Sequence, residues 1–196
     1  MANGKKTETD LISDEMSEQI IATTAKLVTE FGTQYITVRK ILNEMNISNR
    51  VFYNRFHNLD EVLQAVYLDL ILKMRENLKA VPEDMDYFEY ATHVVVKCMI
   101  DTYDMWRQFS QYSFEHSSLT EQNRLWWTGR ITEILNKAKE LGVVRKDINS
   151  EQLAYFTWCI CRGVNADAVS RKLSKTEAVE CLKAGFECLL EGIKAR

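Results

Sequence analysis

One stretch, residues 37–56, constrains this chain most, because it reads as two short helices joined by a three-residue turn. Val38, Ile41 and Leu42 recur at helical spacing and give the first helix one apolar face. Asn46 stands in the turn, where the backbone needs a residue that tolerates the left-handed region. The pattern is typical of a helix-turn-helix, whose second helix lies in the major groove of DNA. Two alternatives stay open: another kind of amphipathic helix pair, or a helix-turn-helix used only for packing.

The helix ends are also marked in the sequence. Thr37 and Ser48 are expected to be the N-caps of the two short helices. An upstream helix over residues 20–32 ends in a glycine, a common C-terminal residue. Asn58 is expected to cap a fourth helix, whose first turn is acidic, as the positive end of a helix favours. The sequence therefore predicts three short helices followed by a longer one.

This order of segments closely resembles the TetR (tetracycline-repressor-like) family of bacterial transcription regulators. The matching residues are Phe31, Gly32, Thr37, Val38, Ile41, Ser48, Tyr53, Phe56 and the run Asp60, Glu61, Val62 and Leu63. A second, shorter match covers residues 142–149, the turn that precedes the penultimate long helix in that family. The resemblance implies an all-α fold of about nine helices, with a three-helix helix-turn-helix head before a helical-bundle domain for ligand binding and dimerisation.

Three positions depart from the family pattern. The turn reads Met45, Asn46 and Ile47, where the family more often has Ala-Gly-Val, and Asn replaces Gly for the backbone reason given above. Arg50 stands where the family often has a small residue, so no operator sequence can be borrowed. Leu59 replaces a commonly basic residue, which implies one fewer phosphate contact per subunit.

The resemblance implies two domains. Residues 1–58 would form the N-terminal arm and DNA-binding domain, and residues 59–196 the effector-binding and dimerisation domain. In the second domain, helices are expected over residues 59–79, 86–103, 104–116, 119–141, 150–170 and 175–194. The single proline, Pro82, lies in the break after the first of these. By resemblance, the helix that starts at residue 59 bridges the head and the regulatory core.

Charge is distributed in the way that DNA binding needs. The chain has a net charge of −3, but residues 32–58 carry four basic side chains and one acidic one, a net of +3. No run approaches the roughly 20 apolar residues that span a bilayer, and the N-terminus does not resemble a secretion signal, so a cytoplasmic location is expected. We find no spacing typical of a catalytic triad, paired metal ligands or a phosphate-binding loop. An enzyme is therefore not expected, and neither is a cofactor.

Individual roles follow for the second short helix and its surroundings. Base reading is expected from Asn49, Arg50 and Asn54, with Val51 able to contact a thymine methyl group. Thr37, Arg39, Tyr53 and His57 are the candidates for phosphate contacts, together with Lys5 and Lys6; Ser48 belongs to the same surface. Arg55 is expected to face the buried side. A helical ligand-binding or interaction module that has lost DNA binding is the rival interpretation.

Aromatic residues crowd the middle of the second domain. Ordinary core packing explains most of them, but buried Trp and Tyr need polar partners, which suits an apolar cavity with a few polar groups. The residues that we expect to line an effector pocket are Tyr103, Trp106, Trp127, Trp158 and Arg162, with His93 and His116 as further candidates. The effector is expected to be partly apolar or aromatic. Asp101 and Asp104 would favour a cationic ligand, although a solvated face is the simpler interpretation.

The last two helices are expected to form a homodimer interface. The first would use Leu153, Phe156, Ile160 and Val164; the second would use Val179, Leu182, Phe186, Leu189, Leu190 and Ile193. Gly163 and Ala166 would permit close approach. The alternative is that both faces serve only the chain's own core. By resemblance, a dimer presents two reading helices about 34 Å apart, or a multiple of it, to a palindromic operator, and a small molecule releases a repressor from that operator.

The five cysteines lie in apolar helical stretches, at Cys98, Cys159, Cys161, Cys181 and Cys188. An odd number in a cytosolic protein argues against a disulfide framework. Cys159 and Cys161 are two residues apart and so point to different faces of a helix, which makes a poor metal clamp. Small core residues are the expected role, with no metal site.

Overall fold

A computed structural model describes residues 11–76, 78, 86–115 and 117–195; the side chains of residues 102, 105, 106, 110, 111, 113–115 and 117–120 are not described. The α-helices are α1 (Glu15–Phe31), α2 (Val38–Met45), α3 (Asn49–Tyr53), α4 (Leu59–Glu76), α5 (Tyr87–Glu115), α6 (Ser117–Glu140), α7 (Ser150–Ser170) and α8 (Lys175–Ile193). With a 3₁₀ turn at Thr33–Tyr35, they make nine helical segments in the described chain, which contains no strand. The all-α fold predicted from the sequence is confirmed.

The chain divides into two compact units, Met1–Leu70 and Ile71–Arg196. The division falls inside α4, so this single helix contributes to both units. The functional boundary at residue 58 stays a prediction. None of the described helices is long and apolar enough to cross a membrane.

The helix ends of the first unit follow the sequence closely. Asp14 caps α1 in a reciprocal capping box with Ser17. Gly32 follows the last residue of α1 with φ 87°. Thr37 caps α2, its hydroxyl accepting from the Lys40 amide at 3.1 Å, and Asn58 accepts from the Glu61 amide at 3.0 Å.

The turn between α2 and α3 has the predicted backbone. Asn46 lies in the left-handed region, with φ 52° and ψ 43°. The Ile47 amide donates to the Leu42 carbonyl at 3.1 Å, which closes α2 in the manner of a Schellman motif. Ser48 holds the N-cap position of α3, but its side chain makes no capping hydrogen bond, so the expected Ser48 cap is wrong in that respect.

The second unit is built from α5 to α8 and the end of α4. The two helices expected over residues 86–103 and 104–116 are one continuous helix, α5. No proline or glycine occurs in α5, so nothing in its backbone interrupts the hydrogen-bonded ladder. α7 begins and ends as predicted, with Asn149 as its N-cap, and Ser174 caps α8 in a capping box with Glu177.

The turn at residues 142–149 fastens α6 to the C-terminal end of α8. Gly142 takes up φ 72°, and Val144 is buried. The Arg145 amide donates to the Ile193 carbonyl at 3.0 Å, while the Arg145 guanidinium pairs with Asp147 and donates to the Gly192 carbonyl. The short sequence match at this turn therefore has a structural role.

Candidate functional sites

α3 presents one polar face because its other face is anchored in the core of the first unit. Phe52 is completely buried, and Phe56, just beyond the helix, is nearly so; their rings lie 5.9 Å apart. The side chains left exposed are Asn49, Arg50, Tyr53 and Asn54. These positions follow one another at helical spacing, so they share a single stripe. The residues predicted to read bases therefore lie together.

The other predicted DNA contacts that the structure describes lie on or near α2 and α3. Thr37, Arg39 and Ser48 are exposed, whereas Val51 is half-buried. His57 is exposed but already paired: its Nδ1 and its amide nitrogen lie 2.7 Å from the two oxygens of Glu61. A phosphate contact by His57 would therefore compete with this carboxylate. Lys5 and Lys6 lie outside the described residues.

Arg55 holds α3 to the start of α1. Its guanidinium donates to both carboxylate oxygens of Asp14, with Nε to Oδ1 at 2.8 Å, and to the Val51 carbonyl at 2.8 Å. This hydrogen bonding keeps the pKa of Asp14 well below its usual range. The Ile12 amide also donates to the Asn54 carbonyl at 2.9 Å. Arg55 is thus turned inward, as predicted, and positions the exposed stripe.

Pairing lowers the positive charge that this surface offers. The sequence-based net of +3 includes Arg55, which Asp14 neutralises. Lys40 lies over the Phe31 ring, with Nζ 3.2 Å from the centroid. Arg39 and Arg50 are the exposed cations that remain near the stripe among the described residues.

A cavity of about 160 Å³ lies in the second unit, between α5, α6, α7, α8 and the end of α4. Its lining is mostly apolar. The polar or charged side chains of the lining are Asn123, Thr157, Arg162 and Asn165, with the thiols of Cys98 and Cys161, the Tyr90 hydroxyl, and the indoles of Trp127 and Trp158. Burial raises the pKa of the Cys161 thiol to about 12. No carboxylate belongs to the described lining.

The structure brings three of the five predicted pocket residues together. Trp127, Trp158 and Arg162 line the cavity. Tyr103 does not: it packs against Met99 and Leu182, which are themselves lining residues, and its hydroxyl donates to the Leu173 carbonyl at 2.7 Å. The side chain of Trp106 lies outside the described part.

The further candidates for this pocket that the structure describes do not line the cavity. His93 is exposed, and His116 lies outside the described residues. The two aspartates are solvated and paired, Asp101 with Lys97 and Asp104 with Lys175.

One polar residue of the cavity lining, and the arginine that contacts it, were missed from the sequence. Asn123 lines it and is 1% exposed. Arg75, in the last turn of α4, reaches Oδ1 of Asn123 at 3.5 Å and stacks over the Trp126 ring at 4.7 Å. The spacing of Asn123 four residues before Trp127 places both on one face of α6, which could have indicated Asn123. Nothing in the sequence connects Arg75 to residue 123.

The face of α8 named from the sequence as a dimer surface is the chain's own core. Leu182, Phe186, Leu190 and Ile193 are all buried, so this part of the prediction is wrong. The exposed surface of α8 carries charged residues and one stripe of small residues: Cys181, Ala184, Gly185 and Cys188. On α7, Tyr155 and Phe156 are about half exposed, and Cys159 and Gly163 are exposed.

The cysteines divide between the interior and this surface. Cys98 is buried and Cys161 faces the cavity, but Cys159, Cys181 and Cys188 are exposed in the chain. The expected core role is therefore wrong for these three. Within the described part of the chain, no group of three or more His, Cys, Asp or Glu side chains is placed to hold a metal ion.

The first unit contains a helix-turn-helix made of α2 and α3 and preceded by α1, and the second unit is a helical bundle with an apolar cavity. No protein-family model and no curated protein sequence matches the chain. Solved structures do: a TetR transcription regulator from Haloarcula marismortui has a TM-score of 0.75 at 18% identity, over 92% of this chain and 98% of its own.

Two further solved structures are similar. A TetR-family transcriptional regulator from Pectobacterium atrosepticum has a TM-score of 0.73 at 16% identity, over 93% of this chain and 95% of its own. Another from Rhodococcus sp. has a TM-score of 0.72 at 13% identity, over 90% and 100%. The chain has the TetR-like fold.

Proposed function

We propose that this protein is a dimeric, sequence-specific DNA-binding transcription regulator, a repressor that a small molecule releases from a palindromic operator. The observation that carries the proposal is the exposed stripe of α3, which is polar and basic although its opposite side is fixed in an apolar core. A helix kept only for packing has no need of Arg50 and two asparagines on its outer face. The TetR-like fold supports the same function, and a DNA regulator of this kind acts in the cytoplasm.

The exposed surface of α7 and α8 supports a homodimer. A Cβ added to Gly163 or Gly185 would meet nothing within 4 Å, so the chain's own packing does not require a small residue there. Glycine inside a helix costs about 1 kcal/mol relative to alanine. Close approach of a second copy of the chain explains why glycine stands at these two positions. Tyr155 and Phe156 add exposed apolar surface on α7.

The cavity supports control by a ligand. Its apolar lining belongs partly to Met74 and Leu78, at and just beyond the end of α4, and α4 continues into the first unit. A ligand that prefers one arrangement of this helix would shift the population of DNA-competent molecules.

The test is selection of bound sequences from a random duplex library at about 150 mM salt, where nonspecific binding is weak. A palindromic motif is expected. On that motif Arg50→Ala should weaken binding by about 1–3 kcal/mol and relax the preference at one base pair. Tyr53→Phe should weaken binding to all sequences equally, because it removes a phosphate contact.

Arg130→Ala is the matched control, since Arg130 is a surface arginine of α6 paired with Glu133. Recovery of no motif from ligand-stripped, refolded protein would contradict the proposed function. Equal loss on operator and random DNA for Arg50→Ala would contradict its base-reading role.

A further inference from the structure

The wall of the cavity consists mostly of aliphatic, aromatic and sulfur-containing side chains. It is built by four helices and the end of α4, and it includes Val94, Met99, Leu182 and Phe186, each at most 4% exposed. These side chains belong to the core of the second unit, so they are held in place by packing on their other sides. A molecule in this cavity would exchange water for apolar contacts with several helices.

Several polar groups of the lining are already bonded within the chain or turned away from the cavity. The Thr157 hydroxyl donates to the Leu153 carbonyl at 2.9 Å, and Oδ1 of Asn123 accepts from Arg75 at 3.5 Å. The indole nitrogen of Trp127 is buried, so this residue presents its ring to a ligand and not its N–H. These groups therefore do not call for a hydrogen-bonding group on the occupant.

The surroundings of the cavity disfavour an ionised group. The described lining contains no carboxylate, and its one charged side chain, Arg162, is half-buried and has partners in the chain, among them the Trp158 ring. Burial raises the pKa of the Cys161 thiol to about 12, so this lining residue is neutral at physiological pH. The same loss of hydration would penalise a charge on a ligand, because no group of opposite charge stands ready to compensate an ammonium, and Arg162 is already engaged.

The volume sets the size of the occupant. An apolar protein cavity of about 150 Å³ stays dry and takes a molecule the size of benzene, and this cavity measures about 160 Å³. We propose that it binds an uncharged, predominantly apolar molecule whose body is about the size of one six-membered ring. This inference rests on the proposed function in that the molecule would be the effector.

Three single-ring probes separate charge from shape: neutral toluene, anionic benzoate and cationic benzylammonium. Calorimetry on the full chain without DNA is expected to show that toluene binds and that each ion binds at least about 100-fold more weakly, since each would lose its hydration. Toluene binding should have a negative heat-capacity change, the mark of apolar burial. Arg162→Met should leave the order of the three probes unchanged.

A filled cavity shows where toluene binds. Ala91 lines the cavity on α5, and Ala91→Phe adds a ring of about the size of the probe, so it should weaken toluene at least about tenfold. Ala22→Phe is the matched control, because Ala22 is exposed on α1 in the first unit, and it should leave toluene binding unchanged. Thermal unfolding shows whether each variant folds; the comparison of the three probes needs no variant.

Four results would overturn the inference: no binding of toluene, an ion that binds as tightly as toluene, toluene binding without a negative heat-capacity change, or unchanged toluene affinity in folded Ala91→Phe. Benzoate binding that is lost in Arg162→Met would show instead that this arginine recognises an anion. None of these measurements uses DNA, and selection of an operator by the ligand-free protein tests the proposed function separately, so the two failures are distinguishable.

Discussion

Replacement of Asn46 tests whether the turn between α2 and α3 depends on its left-handed residue. An alanine at φ 52° and ψ 43° pays the steric cost of that region, about 1–2 kcal/mol for an L-residue, which asparagine partly avoids. Asn46→Ala should therefore raise the fraction of molecules in which the first unit is locally open, by up to about 5- to 30-fold. Asn46→Gly should leave it unchanged or lower, because glycine has no Cβ to clash.

Hydrogen exchange read by mass spectrometry on peptides covering residues 36–58 measures this opening directly. The Ile47 and Phe56 amides are suitable probes, since they donate to the Leu42 and Phe52 carbonyls. All four tryptophans lie beyond residue 70, so tryptophan fluorescence reports the second unit and serves as an internal control. That signal should not change.

Asn43→Ala is the matched variant. Asn43 is exposed and helical on α2, and alanine there gains up to about 0.7 kcal/mol of helix propensity. Asn43→Ala should slow the hydrogen exchange of these peptides or leave its rate unchanged. The reasoning is refuted if Asn46→Ala exchanges at the wild-type rate, or if Asn43→Ala accelerates exchange as much as Asn46→Ala does.

Two further predictions concern acid stability and assembly. The hydrogen bonds from Arg55 are the main cause of the lowered pKa of Asp14. The ion pair therefore stabilises the first unit above about pH 4, and this stabilisation is lost as the pH falls further. Asp14→Asn should make hydrogen exchange of the first unit depend less on acid pH, and an unchanged pH profile would contradict this. Phe156→Glu should convert the dimer to monomers, as measured by sedimentation. Leu125→Glu, at an equally exposed position on α6, should leave the dimer intact. Equal behaviour of the two variants would contradict a dimer interface at Phe156.

The first unit could be predicted in detail because its structure is set by local chemistry. A cap, a left-handed residue and a helical repeat of apolar residues each act within a few positions of one another. Thr37, Asn46 and Asn58 were therefore placed correctly. Ser48 shows the limit, since a residue can hold the N-cap position without making the capping hydrogen bond.

The residues around the cavity could be predicted only in part, because they are brought together by contacts between residues far apart in the sequence. Arg75 and Asn123 are 48 residues apart, and only the fold brings them into contact. Tyr103 was expected to line the cavity for its aromatic ring and hydroxyl, but the Leu173 carbonyl satisfies that hydroxyl elsewhere. The clustering of aromatic residues in the sequence indicated that polar groups lie near them. It did not identify Asn123 as one of these groups.

The predicted dimer face of α8 was wrong, and the same error can arise for any helix that has apolar residues on two sides. Large side chains such as Phe186 and Leu190 suggest an interface by size, but burial in the chain's own core uses them first. The exposed surface of α8 includes a stripe of small residues, which a ranking of residues by hydrophobicity places low. On α7, Phe156 is exposed as the expected interface needs, whereas Leu153, Ile160 and Val164 are half-buried, so an interface on this helix stays a prediction.

Whether a ligand in so small a cavity can control DNA binding depends on whether the protein is a dimer. Near-complete switching needs about a 10⁴-fold preference between two states. With one site and about 1 mM ligand, the Kd would have to be about 0.1 µM, or about −9.5 kcal/mol, which for about nine non-hydrogen atoms approaches the ceiling of about −1.5 kcal/mol per atom. Two sites that switch together each need only about a 100-fold preference. A Kd of about 10 µM then suffices, so a ligand small enough for this cavity is adequate in a dimer and hardly so in a monomer.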